Sequence, residues 1–328
     1  MTVSHPLRRS VERLLRALSK HLPRAIQGDV EPLHQGRVTT RRLREILPLC
    51  ACEVTRGLAN QALRRVRRVG RALGEVREID VSIGVAEEII RAGAVDESAG
   101  RRLRKHLQDD REERRERMLD RLSSVNPRKL ERDLADVARV LGMRQQTDGW
   151  AQKLTVSVKR RSEGIRGAVV AAGALYISDR VHRVRIETKK LRYLLELAGE
   201  TGEARTREAV RELRKIQDVL GRLHDLEVLG GMIQNLTIPA PDTDNPSVNA
   251  GLETLRLTLH SECRDLHRQY VGKRESLLRI CQDAVASAVS IWTERGGTLS
   301  GPRPTPTTSR VLRMTIPVPE SVKPRATE

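Results

Sequence analysis

Two segments of the sequence carry histidine and basic residues at the same spacing. The first runs from Leu33 to Leu47 and the second from Val181 to Leu195. The aligned residues are His34, Arg37, Arg41, Arg42 and Arg44 in the first and His182, Arg185, Lys189, Lys190 and Arg192 in the second. Guanidinium and ammonium groups donate hydrogen bonds to phosphate oxygens, and imidazole gains charge as the pH falls. The pattern predicts one polyanion site shared by two related halves.

The basic residues of each segment fall on one face of an α-helix. At about 100° per residue, His34, Arg37, Arg41 and Arg44 span an arc of roughly 80°, and leucine and isoleucine residues lie opposite. The second segment gives the same arrangement. In the first segment no Asp or Glu lies within this arc at i±4, and like charges on one helical face cost stability. We therefore interpret the uncompensated face as a candidate binding surface.

The repeat continues into the helix that follows each basic segment. Leu73–Val81 matches Leu220–Val228 at an offset of 147 residues. Further aligned cations precede this element: Arg67 and Arg68 in the first half, Arg214 and Lys215 in the second. A single basic helix is most simply a solvated surface. Because motif, spacing and following helix all recur, we favour a binding role for both copies.

Other charged residues near this element allow more than one interpretation. The aligned Arg77 and His224 fit either surface or capping positions or a place in the site. Asp80, Asp225 and Glu227 are expected to orient neighbouring cations rather than to perform acid–base chemistry.

The bulk composition favours a polyanionic partner. The chain of 328 residues has a formal net charge of +18 and a pI of about 10.7, which is typical of proteins that bind nucleic acid, acidic membranes or polymeric phosphate. Aromatic residues make up only 2%, which disfavours a single-strand nucleic-acid binder because such proteins stack bases on aromatic rings. No apolar run is long enough for a membrane span, and the N-terminus lacks a signal-peptide pattern. We expect a cytoplasmic protein.

Apolar residues recur with the helical period along nearly the whole chain, which predicts an all-α fold. We divide the chain into two related halves, residues 5–145 and 146–295, each expected to form a four-helix bundle. The two bundles would be pseudosymmetric and would have a basic cleft between them. Residues 296–328 are rich in Pro, Thr and Ser without periodicity, which predicts a disordered tail.

Prolines and glycines indicate where individual helices end or pack closely. We expect Pro23 to end or kink the first helix and Pro48 to close the first basic helix. Two separate helices are expected over 54–72 and 75–92. Gly36 weakens the first basic helix by about 1 kcal/mol, which indicates close packing or flexibility at that point.

The sequence contains no recognisable catalytic machinery. It has no His-Glu-x-x-His, no phosphate-binding loop, no Gly-x-Ser-x-Gly and no paired-carboxylate signature. Its four cysteines make neither a zinc spacing nor a disulfide framework. We expect a protein that is not an enzyme and that holds no metal or cofactor.

The repeated motifs resemble the CHAD domain, the conserved histidine α-helical domain. The resemblance covers residues 5–295 and rests on His34-x-x-Arg37-Val38-x-x-Arg41-Arg42-Leu43-Arg44, on His182-x-x-Arg185-x-x-x-Lys189-x-Leu191-Arg192-Tyr193 and on the repeated Leu-Gly element. There are mild departures. The family's Arg-Asp-x-Asp-Val reads Arg77-Glu78-Ile79-Asp80-Val81, and its Asn-Asp reads His224-Asp225. We expect a stand-alone CHAD protein, without the triphosphate-tunnel (CYTH) domain often fused to members of this family.

The resemblance implies two four-helix-bundle halves with a basic central cleft that binds inorganic polyphosphate. By position, it assigns ligand contacts to His34, Arg37, Arg41 and Arg44 and to His182, Arg185, Lys189 and Arg192. Arg42, Lys190 and the stripe of Arg67, Arg68, Arg214 and Lys215 are secondary candidates. It also implies association with polyphosphate granules. The alternatives are a nucleic-acid-binding protein, expected to be the weaker interaction, and an enzyme acting on phosphate polymers or nucleotides.

Overall fold

A computed structural model describes residues 6–143, 149–200, 204–237 and 246–294, and within these ranges it contains ten α-helices and no strand. The first five helices are α1 (Pro6–Gln27), α2 (Val30–Cys50), α3 (Arg56–Arg91), α4 (Glu97–Ser123) and α5 (Pro127–Gly142). The others are α6 (Trp150–Ala172), α7 (Ser178–Gly199), α8 (Ala204–Thr237), α9 (Pro246–Gly272) and α10 (Arg274–Thr293). The all-α prediction is confirmed. The predicted tail, 296–328, lies outside the described residues.

The two sets of five helices have the same packing neighbours. Helix α1 packs on α2 and α5, and α3 packs on α2, α4 and α5. In the second set, α6 packs on α7 and α10, and α8 packs on α7, α9 and α10. Helices α2 and α3 also contact α7 and α8, respectively. This common pattern accords with an internal repeat, whereas the two-fold symmetry itself stays a prediction.

The buried apolar side chains form two clusters, and each cluster joins the two sets of helices. The larger cluster draws on all ten of the described helices. The smaller cluster joins the C-terminal parts of α3 and α8 to α4 and α9. Burial of apolar area is the main favourable contribution to folding. The shared clusters therefore hold the facing surfaces of α2, α3, α7 and α8 in a fixed arrangement.

The basic helices differ from the sequence-based expectations mainly at their ends. The segments 54–72 and 75–92 belong to one continuous helix, α3, which passes through Gly74 without interruption. Pro23 and Pro48 lie inside α1 and α2, which continue for four and two further residues. A proline removes one backbone donor, and near a C-terminus few helical hydrogen bonds remain to be lost.

Two glycines in these helices allow close approach between α2 and α3. A Cβ atom at Gly36 would lie 3.2 Å from Cδ1 of Leu73 on α3. A Cβ atom at Gly70 would lie 3.0 Å from Oγ1 of Thr40 on α2. The unusual glycine in the first basic helix is therefore explained by close packing. This proximity brings the cations of α2 next to those of α3.

None of the described helices is both long enough and apolar enough to cross a membrane. Three of the cysteines, Cys50, Cys263 and Cys281, are buried free thiols. Buried thiols of this kind behave as small apolar side chains.

Candidate functional site

A cavity of about 410 Å³ lies where α2, α3, α7 and α8 meet, and we call it the central cavity. It brings together six of the residues singled out in the sequence, three from each basic segment: His34, Arg37, Arg41, His182, Arg185 and Lys189. Its other charged or titratable lining residues are Arg77, Glu78, His224 and Asp225. The side chains come from both halves of the chain, which are about 148 residues apart at the aligned histidines.

The charge of the central cavity is strongly positive. Five Arg or Lys side chains and three histidines face two carboxylates, those of Glu78 and Asp225. One of these carboxylates is engaged from outside, because Arg114 Nη1 lies 3.1 Å from Glu78 Oε1. Cations held this close together in a partly desolvated space repel one another. Such an arrangement favours an anionic ligand.

Arg37 lies in a gap that glycine leaves open on α3. Its Nη1 donates a hydrogen bond to the carbonyl oxygen of Gly70 at 2.9 Å. A Cβ atom at Gly74 would overlap the guanidinium, whose Cζ lies only 3.1 Å from that position. Burial, reinforced by the charge of Arg41, lowers the pKa of Arg37 to about 10. The guanidinium stays charged at neutral pH, in a place where that charge is costly.

Arg185, aligned with Arg37, is also buried, with 9% of its surface exposed. Its Nη2 lies 3.9 Å from Oδ1 of Asp225, and its buried Nε has no hydrogen-bond partner among the described residues. Burial lowers the pKa of Arg185 and raises that of Asp225. Because burial outweighs their mutual attraction in both groups, the long ion pair leaves donor capacity on Arg185 for a ligand.

Lys189 is the most strongly perturbed cation of the site. Burial, with the charges of Arg185 and Arg41 close by, lowers its pKa to about 6. Within the described residues, no carboxylate forms an ion pair with Lys189. The neutral amine of Lys189 gains a proton readily when a negative charge enters the cavity, and it then becomes an ammonium group.

Two histidines meet on the α7–α8 side of the central cavity. His182 Nδ1 lies 3.2 Å from His224 Nδ1. Burial, followed by the charges of His224 and Arg185, lowers the pKa of His182. Glu227 lies behind the pair, and its Oε1 accepts a hydrogen bond of 2.5 Å from the hydroxyl of Tyr176. The tyrosine therefore fixes the carboxylate that faces His224.

His34 occupies the corresponding place on α2. Burial is the main reason for its lowered pKa, and the charge of Arg77 adds to the effect. In the second half, His182 aligns with His34, and His224 aligns with Arg77. His182 contacts His224. The imidazoles of the motif thus lie beside cationic or titratable neighbours in both halves.

Several sequence-predicted residues lie outside the central cavity and form ion pairs. Glu196 is the common partner of three of them, at 3.0 Å from Arg42, 3.7 Å from Arg192 and 3.3 Å from Arg214. Lys190 pairs with Glu187 at 2.6 Å, and Lys215 pairs with Glu212 at 2.7 Å. Glu196 lies four residues after Arg192 on α7, a spacing that the sequence shows, whereas Arg42 and Arg214 reach it from other helices.

The remaining predicted residues lie on the other side of α3 or in solvent. Arg44 and Arg68 line a second cavity next to the central one. Arg67 is exposed on α3, outside the lining of both cavities. The fourteen candidate positions therefore occupy four different environments: the central cavity, ion pairs outside it, the second cavity and the solvent-exposed surface.

Four charged or titratable lining residues were not among the predicted ligand contacts: Arg77, Glu78, His224 and Asp225. The signal that could have found them was the second part of the repeat. Both pairs occupy aligned positions, about six turns into the long helices α3 and α8 and about one turn beyond the expected break at Gly74. The expected break in α3 separated Arg77 and Glu78 from the basic stripe of Arg67 and Arg68, although all four residues lie on one continuous helix. Asp80 does not join them, because it pairs with Arg111 of α4 at 2.8 Å.

Among the described residues, no group of three or more His, Cys, Asp or Glu side chains is placed to hold a metal ion. The chemistry available in the central cavity is therefore that of hydrogen-bond donors and positive charge: guanidinium, ammonium and imidazole groups on four facing helices.

The comparisons with known proteins agree with this architecture. The sequence profile of the CHAD domain matches residues 9–234. Since the match spans more than half of the chain, the protein belongs to the CHAD domain family.

Two solved structures share the fold. The CHAD domain from the plant Ricinus communis is 20% identical with a TM-score of 0.60, over 86% of this chain and 92% of that one. PptA from Streptomyces chartreusis is 18% identical with a TM-score of 0.58, over 83% of this chain and 98% of that one. No curated protein sequence matches this chain.

Proposed function

We propose that this protein binds inorganic polyphosphate in the central cavity and does so without catalysing a reaction. The observation that carries the proposal is the excess of buried or half-buried cations over carboxylates on four facing helices. A polyanion would supply the missing negative charge and hydrogen-bond acceptors. Binding would then relieve the like-charge repulsion that the free protein sustains.

The chemistry of the lining favours a phosphate chain over a nucleic acid. Apart from the three histidines, the lining has no aromatic side chain on which a base could stack. Guanidinium forks suit the oxygens of phosphate groups. A linear polymer of phosphates has a high charge density and no bases, and it matches donors that are supplied from both sides of the cavity.

The proposal includes the cell biology that the family resemblance suggests. We expect the protein to reside in the cytoplasm and to associate with polyphosphate granules. A fluorescent fusion that stays diffuse in cells containing such granules would contradict this part of the proposal.

The direct test is a paired charge reversal in the central cavity. Arg37→Glu with Arg185→Glu places two acids where the cavity needs donors, and we expect it to abolish binding of long-chain polyphosphate. The matched control is Arg101→Glu with Arg139→Glu, which changes the net charge equally at two exposed arginines outside the cavity. Circular dichroism would verify folding of both proteins. Undiminished affinity of the cavity variant would reject the proposed site.

Absence of catalysis has its own test. Phosphate release from polyphosphate and from nucleoside triphosphates would be followed with and without Mg²⁺. We expect no release above the rate of the Arg37→Glu, Arg185→Glu variant. Turnover that this variant abolishes would identify an enzyme instead.

A further inference from the structure

A second basic cavity, of about 720 Å³, adjoins the central cavity along α3, and we call it the lateral cavity. The two cavities share three lining residues, Arg37, Gly74 and Glu78. Because Gly74 has no side chain, the guanidinium of Arg37 lies at the junction and faces both spaces. The two cavities are therefore neighbours across a single arginine.

The lateral cavity has cations that no acid neutralises. Arg44, Arg68 and Arg71 line it, and none of the three forms an ion pair within the part of the chain that the structure describes. Its two carboxylates are both engaged, Glu75 with Arg121 and Glu78 with Arg114. Three arginines thus remain free on the side of the molecule that α2 and α3 form.

Arg44 belongs to the basic motif on α2 and also lines the lateral cavity. It follows Arg37 and Arg41 on the basic face of α2. Burial lowers its pKa, the charge of Glu45 opposes this, and the charges of Arg67, Arg41 and Arg71 add to the lowering. The repulsion among basic groups therefore extends from the central cavity outward along α2 and α3.

The aligned surface of the second half is different, because carboxylates hold its cations. Glu196 pairs with Arg192 and Arg214, and Glu212 pairs with Lys215. The sequence explains the difference. The first half has Pro48 at the position of Glu196, Arg65 at that of Glu212 and Arg71 at that of Asp218.

The backbone positions beside the motif arginines differ as well. Gly70, which lines the lateral cavity, aligns with Gln217 in the second half. The side chain of Gln217 is buried and donates a hydrogen bond of 3.1 Å to the carbonyl oxygen of Thr188. In the first half, the carbonyl oxygen of Gly70 instead accepts a hydrogen bond from Arg37 Nη1.

We propose that a phosphate chain longer than the central cavity leaves it on one side only, past Arg37 and along Arg44, Arg68 and Arg71 of the first half. The aligned face of the second half would not bind the chain, because Glu196 and Glu212 already neutralise its cations. This inference rests on the proposed polyphosphate binding and adds a direction to it.

The test compares aligned surface variants with two ligands. Arg68→Glu with Arg71→Glu changes the lateral cavity, and Arg214→Glu with Lys215→Glu makes the same change of net charge in the second half. All four side chains are exposed, so both proteins should fold, which melting curves would verify. Arg68→Gln with Arg71→Gln is a milder second variant. The ligands are long-chain polyphosphate, which exceeds the central cavity, and tripolyphosphate, the short probe.

We expect the lateral variant to lose at least about tenfold more affinity for long-chain polyphosphate than the second-half variant, since each substitution removes a charge-assisted contact and adds a repelling carboxylate. Tripolyphosphate should bind the two variants equally. Equal losses for the long chain, or a loss for tripolyphosphate confined to the lateral variant, would overturn the inference while leaving polyphosphate binding intact. Wild-type protein that binds neither ligand would instead reject the proposed function.

Discussion

The Nδ1 atoms of His182 and His224, which both line the central cavity, lie 3.2 Å apart. At this distance one nitrogen must donate and the other accept, so the pair carries at most one positive charge while the contact lasts. Their aligned counterparts are His34 and Arg77, and arginine is always charged. The second half of the site therefore has an imidazole at the position where the first half has the guanidinium of Arg77.

The groups that face this part of the cavity come from four helices. They are His34, Arg37 and Arg41 on α2, Arg77 and Glu78 on α3, His182, Arg185 and Lys189 on α7, and His224 and Asp225 on α8. The pKa of Lys189 is lowered to about 6, mainly by burial and to a smaller extent by the surrounding cations. Burial and neighbouring charges also lower the pKa of His182.

We predict that affinity for long-chain polyphosphate rises as the pH falls from about 8 to about 6. A bound polyanion raises the pKa values of Lys189 and His182, so within this window the complex holds more protons than the free protein. Each proton taken up steepens the dependence by at most about tenfold per pH unit. Titration calorimetry in buffers of different ionisation enthalpy would measure the uptake. Affinity that stays constant or falls on acidification would contradict this prediction.

We predict that Lys189→Met stabilises the fold and weakens binding. The folded-state pKa of Lys189 is lowered, so the unfolded chain binds the extra proton and stability rises with pH between about 6 and about 10.5. Replacing the ammonium removes this penalty, which we put at about 1 to 3 kcal/mol at neutral pH after allowance for partial exposure. Chemical denaturation and polyphosphate titration would be compared, with Lys189→Arg as the variant that keeps the charge. A destabilised Lys189→Met protein would argue against this cost.

We predict that Gly74→Ala weakens polyphosphate binding although it favours the helix. The new methyl group would displace the guanidinium of Arg37 from the Gly70 carbonyl. The aligned control is Gly221→Ala, whose Cβ would meet open space. Each substitution adds up to about 1 kcal/mol of helix propensity, so melting temperatures should not fall. Equal affinities of the two variants would show that the position of Arg37 does not depend on Gly74.

We predict that Glu196→Gln raises affinity for long-chain polyphosphate and lowers the melting temperature. Removing the carboxylate charge releases Arg42, Arg192 and Arg214 as donors, while their mutual repulsion is no longer compensated. The gain should be several-fold for the long chain and absent for tripolyphosphate. Glu212→Gln, which releases only Lys215, serves as the smaller comparison. Unchanged binding would mean that these cations lie beyond the reach of the ligand.

The helical class and the family were predictable from the sequence because both rest on local patterns. Helical periodicity predicted the all-α fold, and the recurrence of the His34 and His182 segments marked the family. The helix ends were less predictable, since Pro48 and Gly74 stop a helix only when tertiary packing does not override them. Apolar contacts of α3 on both sides of Gly74 hold it in one piece.

The distribution of charge within the site could not be read from either repeat alone. Helical geometry placed His34, Arg37 and Arg41 on one face, and all three line the central cavity. The same geometry gave Arg192 an equal place, but Glu196, four residues further on, engages it and Arg214 of α8. The i,i+4 spacing of Arg192 and Glu196 is visible in the sequence, but the pair with Arg214 depends on the relative positions of α7 and α8, which the spacing of charges along one helix does not specify.

The central claim is that a shaped basic cavity, rather than net positive charge, selects the ligand. The most direct test measures affinity for long-chain polyphosphate beside single-stranded DNA of matched charge, both at about 150 mM salt, where generic electrostatic attraction is strongly screened. The account predicts tight binding of polyphosphate and weak binding of DNA. Equal affinity for the two polymers would contradict it and would mean that the +18 charge acts as a generic polycation.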